Sequence, residues 1–481
     1  MKIDSKKLTK NIFSLSFGQL LSLVLNFLAI AFAAKYYGPD DFGVFSNVLA
    51  IIGILSKLVD LGFGPIVFRE LSKSDSDFEL LDKSVSIRLV LLLGLILVFN
   101  VIGILLQLST LEIILGNIII PTVLISAKAV NIRELLSIPF KVKIKMHYPM
   151  IFLTLDNFVL LLGVYLVITF NLSLEIFTLF YTITNLPGFI LLLYFLYKKF
   201  HYKFSFNVRS WKWLVQESLP IGGLVILITI FQQMDIILLS YLNSSYDAGI
   251  YSVALRISMP LSIIPASIVT TVFPYIVKKQ QVNLDSDYIN TFVFKLLFWF
   301  AYVIFIVFYF KAESYLGFVF GKEYLDSAFS SSLLLIVQVF LFFNFFAIDL
   351  LTVHNKQSWN FIYSTIIVLV NVVLAFILIP SLNFNGAAIA KVIASFAGFI
   401  FLSAILLKNN IKFNFVSIRL VIWVLLIPIT AYIFSGLHWT LYSFLLPIGI
   451  LLITFGLSIF SKNEINLIIS SLGLNKKKFI K

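Results

Sequence analysis

Apolar runs of 18 residues or more recur from one end of this chain to the other, and they decide what it can fold into. Lipid offers no partner to an unpaired backbone amide, so a run of that length must cross the ~30 Å hydrocarbon core as a helix. Hydrophobic residues make up 60% of the chain and charged residues only 12%, about half the charged share of a soluble domain. No polar stretch is long enough to fold as a separate soluble domain. The chain is therefore expected to be an all-α integral membrane protein.

About fourteen spans are expected, near 11–35, 42–66, 86–107, 110–130, 149–170, 174–197, 216–242, 247–277, 290–310, 327–352, 359–380, 385–407, 416–435 and 441–461. Lysine and arginine then sort by side. One side collects Lys2, Lys6, Lys7 and Lys10, then Arg69, Lys73, Lys83 and Arg88, then Lys128, Arg133, Lys141, Lys143 and Lys145. Lys198, Lys199, Lys203, Arg209, Lys212, Lys278, Lys279, Lys356, Lys408, Lys412, Arg419, Lys462 and a tail ending in Lys476, Lys477, Lys478 and Lys481 follow on the same side. The alternate loops hold Lys311 and Lys322. The positive-inside bias puts both termini in the cytoplasm of a multi-pass protein of the cell (inner) membrane. It also accounts for the net charge of +13 through anionic lipid rather than nucleic acid. Residues 198–214, basic and aromatic, read as an interfacial linker. Ala31-Phe32-Ala33 resembles a cleavage site, but the apolar core before it is too long for a signal peptide, so the first helix is read as retained. The loop 311–326 is expected to hold a short helix on the outer surface.

Two stretches repeat: DFGVFSNVLAI at residues 41–51 and DAGIYSVALRI at 247–257, with Asp, Gly, Ser, Leu and Ile recurring at a constant offset of 206. Doubled membrane units are common in transporters. Residues 1–205 (helices one to six) and 206–410 (helices seven to twelve) form two lobes of like orientation, related by a pseudo-twofold axis along the membrane normal. Residues 411–481 add two helices and a basic tail. The seam between lobes is the expected cavity.

Several chemistries are excluded or weak. The chain has no cysteine, hence no disulfide and no thiolate metal site. His147, His201, His354 and His438 fall at helix ends or loops without metal-ligand spacing. No phosphate loop is present, so ATP hydrolysis within the chain is not expected, and no catalytic or metal-binding residue is assigned. The pair Asp40-Asp41 could serve a membrane glycosyltransferase by holding a metal. Recurrence of Asp41 as Asp247 suits a turn better, and the outer loops leave little room for an active site.

Ionisable groups at membrane depth cost about 2.5–3.5 kcal/mol each and call for a role. They are Lys57, Asp60, Asp156, Asp235, Arg256, Lys295, Asp349 and Lys391. Lys57 and Asp60, three apart on one face, either pair with each other or line the cavity. Asp235, after Gln232 and Gln233, either bonds to helix eight or faces the cavity. Arg256 and Lys391 sit near mid-depth in helices eight and twelve and are expected in the cavity. Asp156, Lys295 and Asp349 lie nearer helix ends and are expected to reach the interface. Gly18, Pro220, Gly222 and Gly223 permit bending of helices one and seven.

Three stretches carry a family likeness: AAKYYGPDDFGVFSNVLAI, DIILLSYLNSSYDAGIYSVALRI and NVVLAFILIPSLNFNGAAIA, with FGKEYLDSA between them. They resemble the Wzx-type O-antigen and capsule repeat-unit flippases of the multidrug/oligosaccharidyl-lipid/polysaccharide exporter superfamily, over nearly the whole chain. The resemblance implies transfer of an undecaprenyl-pyrophosphate-linked oligosaccharide to the outer leaflet for polysaccharide biosynthesis. Implied partners are membrane lipids, glycosyltransferases and a polymerase, without nucleic acid. No cofactor is implied; proton or sodium coupling fits, without a diagnostic motif. Two siblings are a multidrug/cation antiporter, usually with twelve helices and acidic ion sites, and a peptidoglycan-precursor flippase. The latter has fourteen helices but an arginine-bearing first helix, whereas helix one here is uncharged between Asn11 and Ala34.

Overall fold

In the computed structural model the apolar runs are helices, and among the described residues there is no strand. The structure describes residues 5–73, 78–129, 131–207, 209, 211–281, 287–413 and 416–465, with side chains from residue 18 onward except 274–275 and 278–281. The basic residues Lys2, Lys476, Lys477, Lys478 and Lys481 lie outside the described residues.

The helices are α1 (Ser5–Asp60), α2 (Phe63–Leu71), α3 (Glu79–Leu105), α4 (Thr110–Ile119), α5 (Thr122–Ile125), α6 (Ile132–Val142), α7 (His147–Thr169), α8 (Leu174–Ile183) and α9 (Leu186–Phe200). They continue with α10 (Trp211–Leu242), α11 (Ser245–Ser258), α12 (Ile263–Gln281), α13 (Asp287–Tyr309), α14 (Ala312–Val319), α15 (Ser327–Val353), α16 (Ser358–Lys408), α17 (Ile418–Phe434) and α18 (Trp439–Gly456). Ten segments are long and apolar enough to cross a membrane, and Thr110–Ile125 and Ile418–Phe434 are shorter apolar helices.

Two of the ten are double length. α1 breaks at Gly38, whose φ of 72° and ψ of 175° are non-helical. Glycine carries a positive φ without a Cβ clash, and Pro39 is preset to restart the helix. α16 breaks at Asn383, φ 52°, three residues after Pro380. Gly386 then lies so close to the Leu378 carbonyl that a Cβ would strike it.

The chain divides into two units. The first comprises Met1–Arg256, Val319–Tyr324 and Val368–Ala390. Its core around Phe63, Val67, Leu81, Ile132, Leu135, Phe140 and Leu192 joins α2, α3, α6 and α9. Two of its membrane segments are interrupted. Residues 126–129 and 131 are non-helical between α5 and α6, and α8 stops two residues before α9. Backbone groups freed inside an apolar region need partners, and side chains supply them. Arg88 donates to the Asn131 carbonyl at 2.7 Å, and Asn131 to the Ser56 carbonyl at 2.8 Å. Arg133 donates to the carbonyls of Ile125 at 3.0 Å and Asn185 at 3.2 Å. Ser126 donates to the Asn185 side chain at 2.8 Å.

The second unit comprises Ile257–Phe318, Leu325–Ile367 and Lys391–Lys481. α17 and α18 share a core with α13 built on Trp423, Ile427, Tyr442 and Ile450. Thr454 accepts hydrogen bonds from the indoles of Trp299 at 3.1 Å and Trp423 at 2.9 Å. Phe294 of α13 stacks on Phe343 of α15 with centroids 4.3 Å apart.

Three expectations change. Asp156 does not reach an interface: it is 1% exposed and ion-paired to Arg133 at 2.5 Å. Lys295 is paired with Glu464 at 2.6 Å rather than extended to a headgroup. The short helix in the loop 311–326 exists as α14, but the segment after it is only partly on the surface, with Lys322, Glu323 and Asp326 exposed. Phe320 and Tyr324 are buried in the first unit.

Candidate functional site

The site is built on the arm of α1 that restarts at Pro39. Two glycines bring that arm against α10 and α11 of the same unit. A Cβ on Gly43 would strike the Ser245 carbonyl, and one on Gly249 would strike the Pro39 carbonyl. At the far end of the arm Gly62, φ 74°, would place a Cβ 2.7 Å from the Gly222 amide, and Gly222 one 2.8 Å from the Leu61 carbonyl. Small residues allow such backbone approach, and Gly222 serves that contact. Tyr324 donates to the Ala34 carbonyl at 3.0 Å beside the Gly38 break, and Phe320 meets Phe27 edge-on at 5.9 Å.

Between these contacts lies an aromatic interior. Phe42 and Phe45 are 6.0 Å apart, Phe45 is 5.3 Å from Tyr181 and 5.0 Å from Phe177, and Phe177 is 5.5 Å from Tyr37. Two cations face it. The Arg256 guanidinium lies 5.4 Å from the Phe42 ring centre, and the Lys128 amine 5.4 Å from that of Tyr181. Arg256 Nε and Lys128 Nζ are buried without a hydrogen-bond partner among the described residues. Neither is in an ion pair there. A ring face attracts a cation by about 0.5–2 kcal/mol, which offsets little of the cost of desolvating it. Phe42 and Tyr181 both pack against Phe45, so the two cations flank one aromatic cluster.

The other charges singled out in this unit are hydrogen-bonded in place, two of them within ion pairs. Arg88, fully buried, ion-pairs with Asp60 and also donates to the Asp60 carbonyl at 3.0 Å. Asp60 is therefore paired with α3, not with its neighbour Lys57. Lys57 donates instead to the Ala129 carbonyl at 3.1 Å, on the interrupted stretch. Asp156 accepts from Arg133 and from the Gly188 amide at 2.8 Å. Asp235, 0% exposed, accepts from Tyr251 of α11 and Asn371 of α16, both at 2.7 Å. The bond from Asp235 to helix eight is thus present.

Of the five residues singled out in the sequence, Lys57, Asp60, Asp235 and Arg256 belong to the first unit. Lys391 belongs to the second, where it is 3% exposed and its carbonyl accepts from Ser395 at 2.8 Å. Three buried basic residues were not singled out: Arg88, Lys128 and Arg133. In the sequence they read as loop charges that set orientation. The available signal was an unassigned acid in a neighbouring span for each arginine, and Pro121 with Pro139 flanking a broken helix for Lys128.

With cations held against aromatic rings and no carboxylate on them, the interior suits an anion whose remainder stacks on rings, such as a phosphorylated sugar.

The family model described as polysaccharide biosynthesis protein matches residues 8–280, more than half of the 481. No curated protein matches the sequence. Among solved structures, the lipid II flippase MurJ in an inward closed conformation superposes with a TM-score of 0.77 at 16% identity, over 95% of this chain and 99% of that one. An inward-facing multidrug resistance MATE family transporter of the MOP superfamily gives a TM-score of 0.61 at 14% identity, over 81% and 95%. A MOP superfamily transporter from Pyrococcus furiosus, whose binding pocket is described as of reverse polarity, gives 0.56 at 14%, over 82% and 95%. At these identities the likeness establishes a shared fold.

Proposed function

The chain belongs to the polysaccharide biosynthesis protein family, and from that premise we propose that it is a flippase for undecaprenyl-pyrophosphate-linked oligosaccharide repeat units. It moves the sugar head from the cytoplasmic to the outer leaflet for O-antigen or capsule synthesis and is not an enzyme. The observation that carries the reading is Arg256, a guanidinium facing Phe42 with its Nε buried and no acid against it among the described residues. A charge of that kind is costly in a membrane protein unless a ligand anion meets it. An anionic substrate favours this reading over a multidrug/cation antiporter.

The spans support a count of fourteen, since α1 and α16 each supply two segments at their breaks and the two shorter apolar helices complete the set. The lobes 1–205 and 206–410 open alternately about the seam, with both termini in the cytoplasm of the inner membrane. Polymerase and glycosyltransferases work beside it, and a proton or sodium gradient is the expected driving force.

The test is purified protein in liposomes loaded with lipid-linked oligosaccharide, read by the share of glycan that an added glycosidase can reach. Protein-dependent transfer between leaflets supports the flippase. Sugar transfer to a new acceptor without translocation would instead mark a glycosyltransferase. A cysteine placed at Ser244, in a chain that has none, should label from the outside; labelling only from the cytoplasm overturns the orientation.

A further inference from the structure

Lys128 does not lie on a helix. It sits on the non-helical stretch between α5 and α6, after the apolar segment Thr110–Ile125 and before the amphipathic α6. A break of that kind exposes backbone groups that only neighbouring side chains can satisfy. Here Arg88, Asn131, Arg133 and Ser126 are committed to that task, and Lys57 adds a bond to the Ala129 carbonyl. Holding the stretch in one shape fixes where Lys128 points, and it points to Tyr181. Its amine makes no hydrogen bond to any described residue. It forms no ion pair with a described acid, and Asp156 is engaged by Arg133 and the Gly188 amide. Arg256, likewise without an ion pair among the described residues, lies over Phe42, which packs with Tyr181 against Phe45.

We propose that Lys128 is a second anion anchor, closing with Arg256 on the diphosphate of a lipid-linked sugar, and that the break between α5 and α6 serves to present it. The inference rests on the flippase reading and adds to it a residue on a different element. An ammonium on a flexible four-carbon stem can follow a phosphate while the braced turn stays in place. A guanidinium on a continuous helix stays fixed and offers paired donors. Two cations from separate elements hold a diphosphate better than a monophosphate, because each meets its own phosphoryl group.

The experiment uses the full chain in phosphatidylcholine nanodiscs, titrated with inorganic pyrophosphate and, separately, inorganic phosphate by calorimetry. Wild type should prefer pyrophosphate. Lys128→Met should weaken pyrophosphate at least tenfold and bring it near phosphate, while Lys128→Arg retains most of the preference. Lys128→Gln replaces the methionine variant should that one not fold. Equal pyrophosphate affinity in wild type and the neutral variant, or a neutral variant that loses thermal stability and no affinity, overturns the proposal. In discs containing phosphatidylglycerol the dependence on Lys128 should persist; its loss would assign the anchor to bulk headgroups and overturn the proposal. Pyrophosphate binding that needs Lys128, in a protein that moves no lipid-linked oligosaccharide, would uphold the anchor and sink the flippase reading.

Discussion

Gly43 and Gly249 touch across a stretch of 206 residues, and each lies against the carbonyl of a residue just before the other's repeat, Ser245 and Pro39. Ser245 and Pro39 are themselves 206 positions apart, so the contact is reciprocal. The Asp-x-Gly of each repeat, visible in the sequence as a turn motif, is also the point where the two repeats meet. A transporter that opens by separating its repeats must part them here.

Gly43→Ala and Gly249→Ala should each impair transport at matched protein levels, since the added methyl meets backbone that cannot rotate away. Overpacking of this sort costs about 1–3 kcal/mol. Gly94→Ala is the control, because a Cβ there meets nothing within 4 Å. Transport equal to that of the Gly94 variant in both would show that the contact plays no part in the cycle.

The Asp60–Arg88 pair yields a stability prediction. Asp60→Ala leaves a fully buried guanidinium unpaired, a loss of about 3–5 kcal/mol. Asp60→Ala combined with Arg88→Leu should recover much of it, as coupled sites do not add. Lys57→Met should cost only about 0.5–1.5 kcal/mol, the worth of its one bond to a carbonyl. Denaturation in detergent measures all three. A lysine variant weaker than the aspartate variant would return Lys57 to the role of Asp60's partner.

These pairs mark the border of what the sequence discloses. The spans are legible because hydropathy is local. So are the breaks at Gly38 and Asn383, where glycine, proline and asparagine interrupt apolar runs. Asp235's bond to helix eight is legible too, since the Asp precedes the repeat by few residues. Partner choice is not local. Lys57 is three residues from Asp60, yet Arg88, 28 residues on, takes the carboxylate because α3 packs beside α1. Asp156 finds Arg133 across 23 positions. Counting Arg88, Lys128 and Arg133 as loop charges is what hydropathy windows do to a basic residue in a broken or terminal turn, and only packing reveals that they are buried.

Asp235 separates structure from function. Two of its partners are neutral donors, Tyr251 and Asn371. An asparagine there can accept from Asn371 and donate to the Tyr251 hydroxyl. Asp235→Asn should therefore fold with little loss of stability while transport falls several-fold, if the charge counters the cations of the interior. Asp235→Leu breaks both bonds and should lose about 1–3 kcal/mol. An asparagine variant with full transport would limit Asp235 to holding α10, α11 and α16 together.

Thr454 accepts from two indoles and donates to the Ile450 carbonyl at 2.7 Å. Thr454→Val keeps the shape and removes the acceptor. Two indole N–H groups would then be unpaired, and membrane hydrogen bonds of this kind average ~0.6 kcal/mol each. The expected loss is about 1 kcal/mol, read as a lower unfolding midpoint. It bears on deletion of residues 411–481, which would also expose Trp299 and leave Lys295 without Glu464. Truncation should therefore disturb α13 itself, and retained transport by a stable truncation would show that the last two helices are dispensable.

Arg256 gives the sharpest contrast between a structural and a functional residue. A guanidinium that held the fold together would have an acid or a set of carbonyls on it, as Arg88 and Arg133 do. Arg256 has the Phe42 ring and an Nε without a partner. Its removal should therefore leave the fold intact or more stable, the usual sign of a site held for function at a cost to stability. If the proposed reading holds, the same removal takes away donors for the substrate's phosphates, so Arg256→Ala should slow flipping by about tenfold or more, one good charge-assisted contact. Arg256→Lys, which keeps the charge and loses the planar fork, should recover part of the rate. The two measurements are the unfolding midpoint and the glycan exposed per minute in liposomes of equal protein content. A lower midpoint with unchanged transport in Arg256→Ala would make the residue a support for the fold and move the anion site elsewhere.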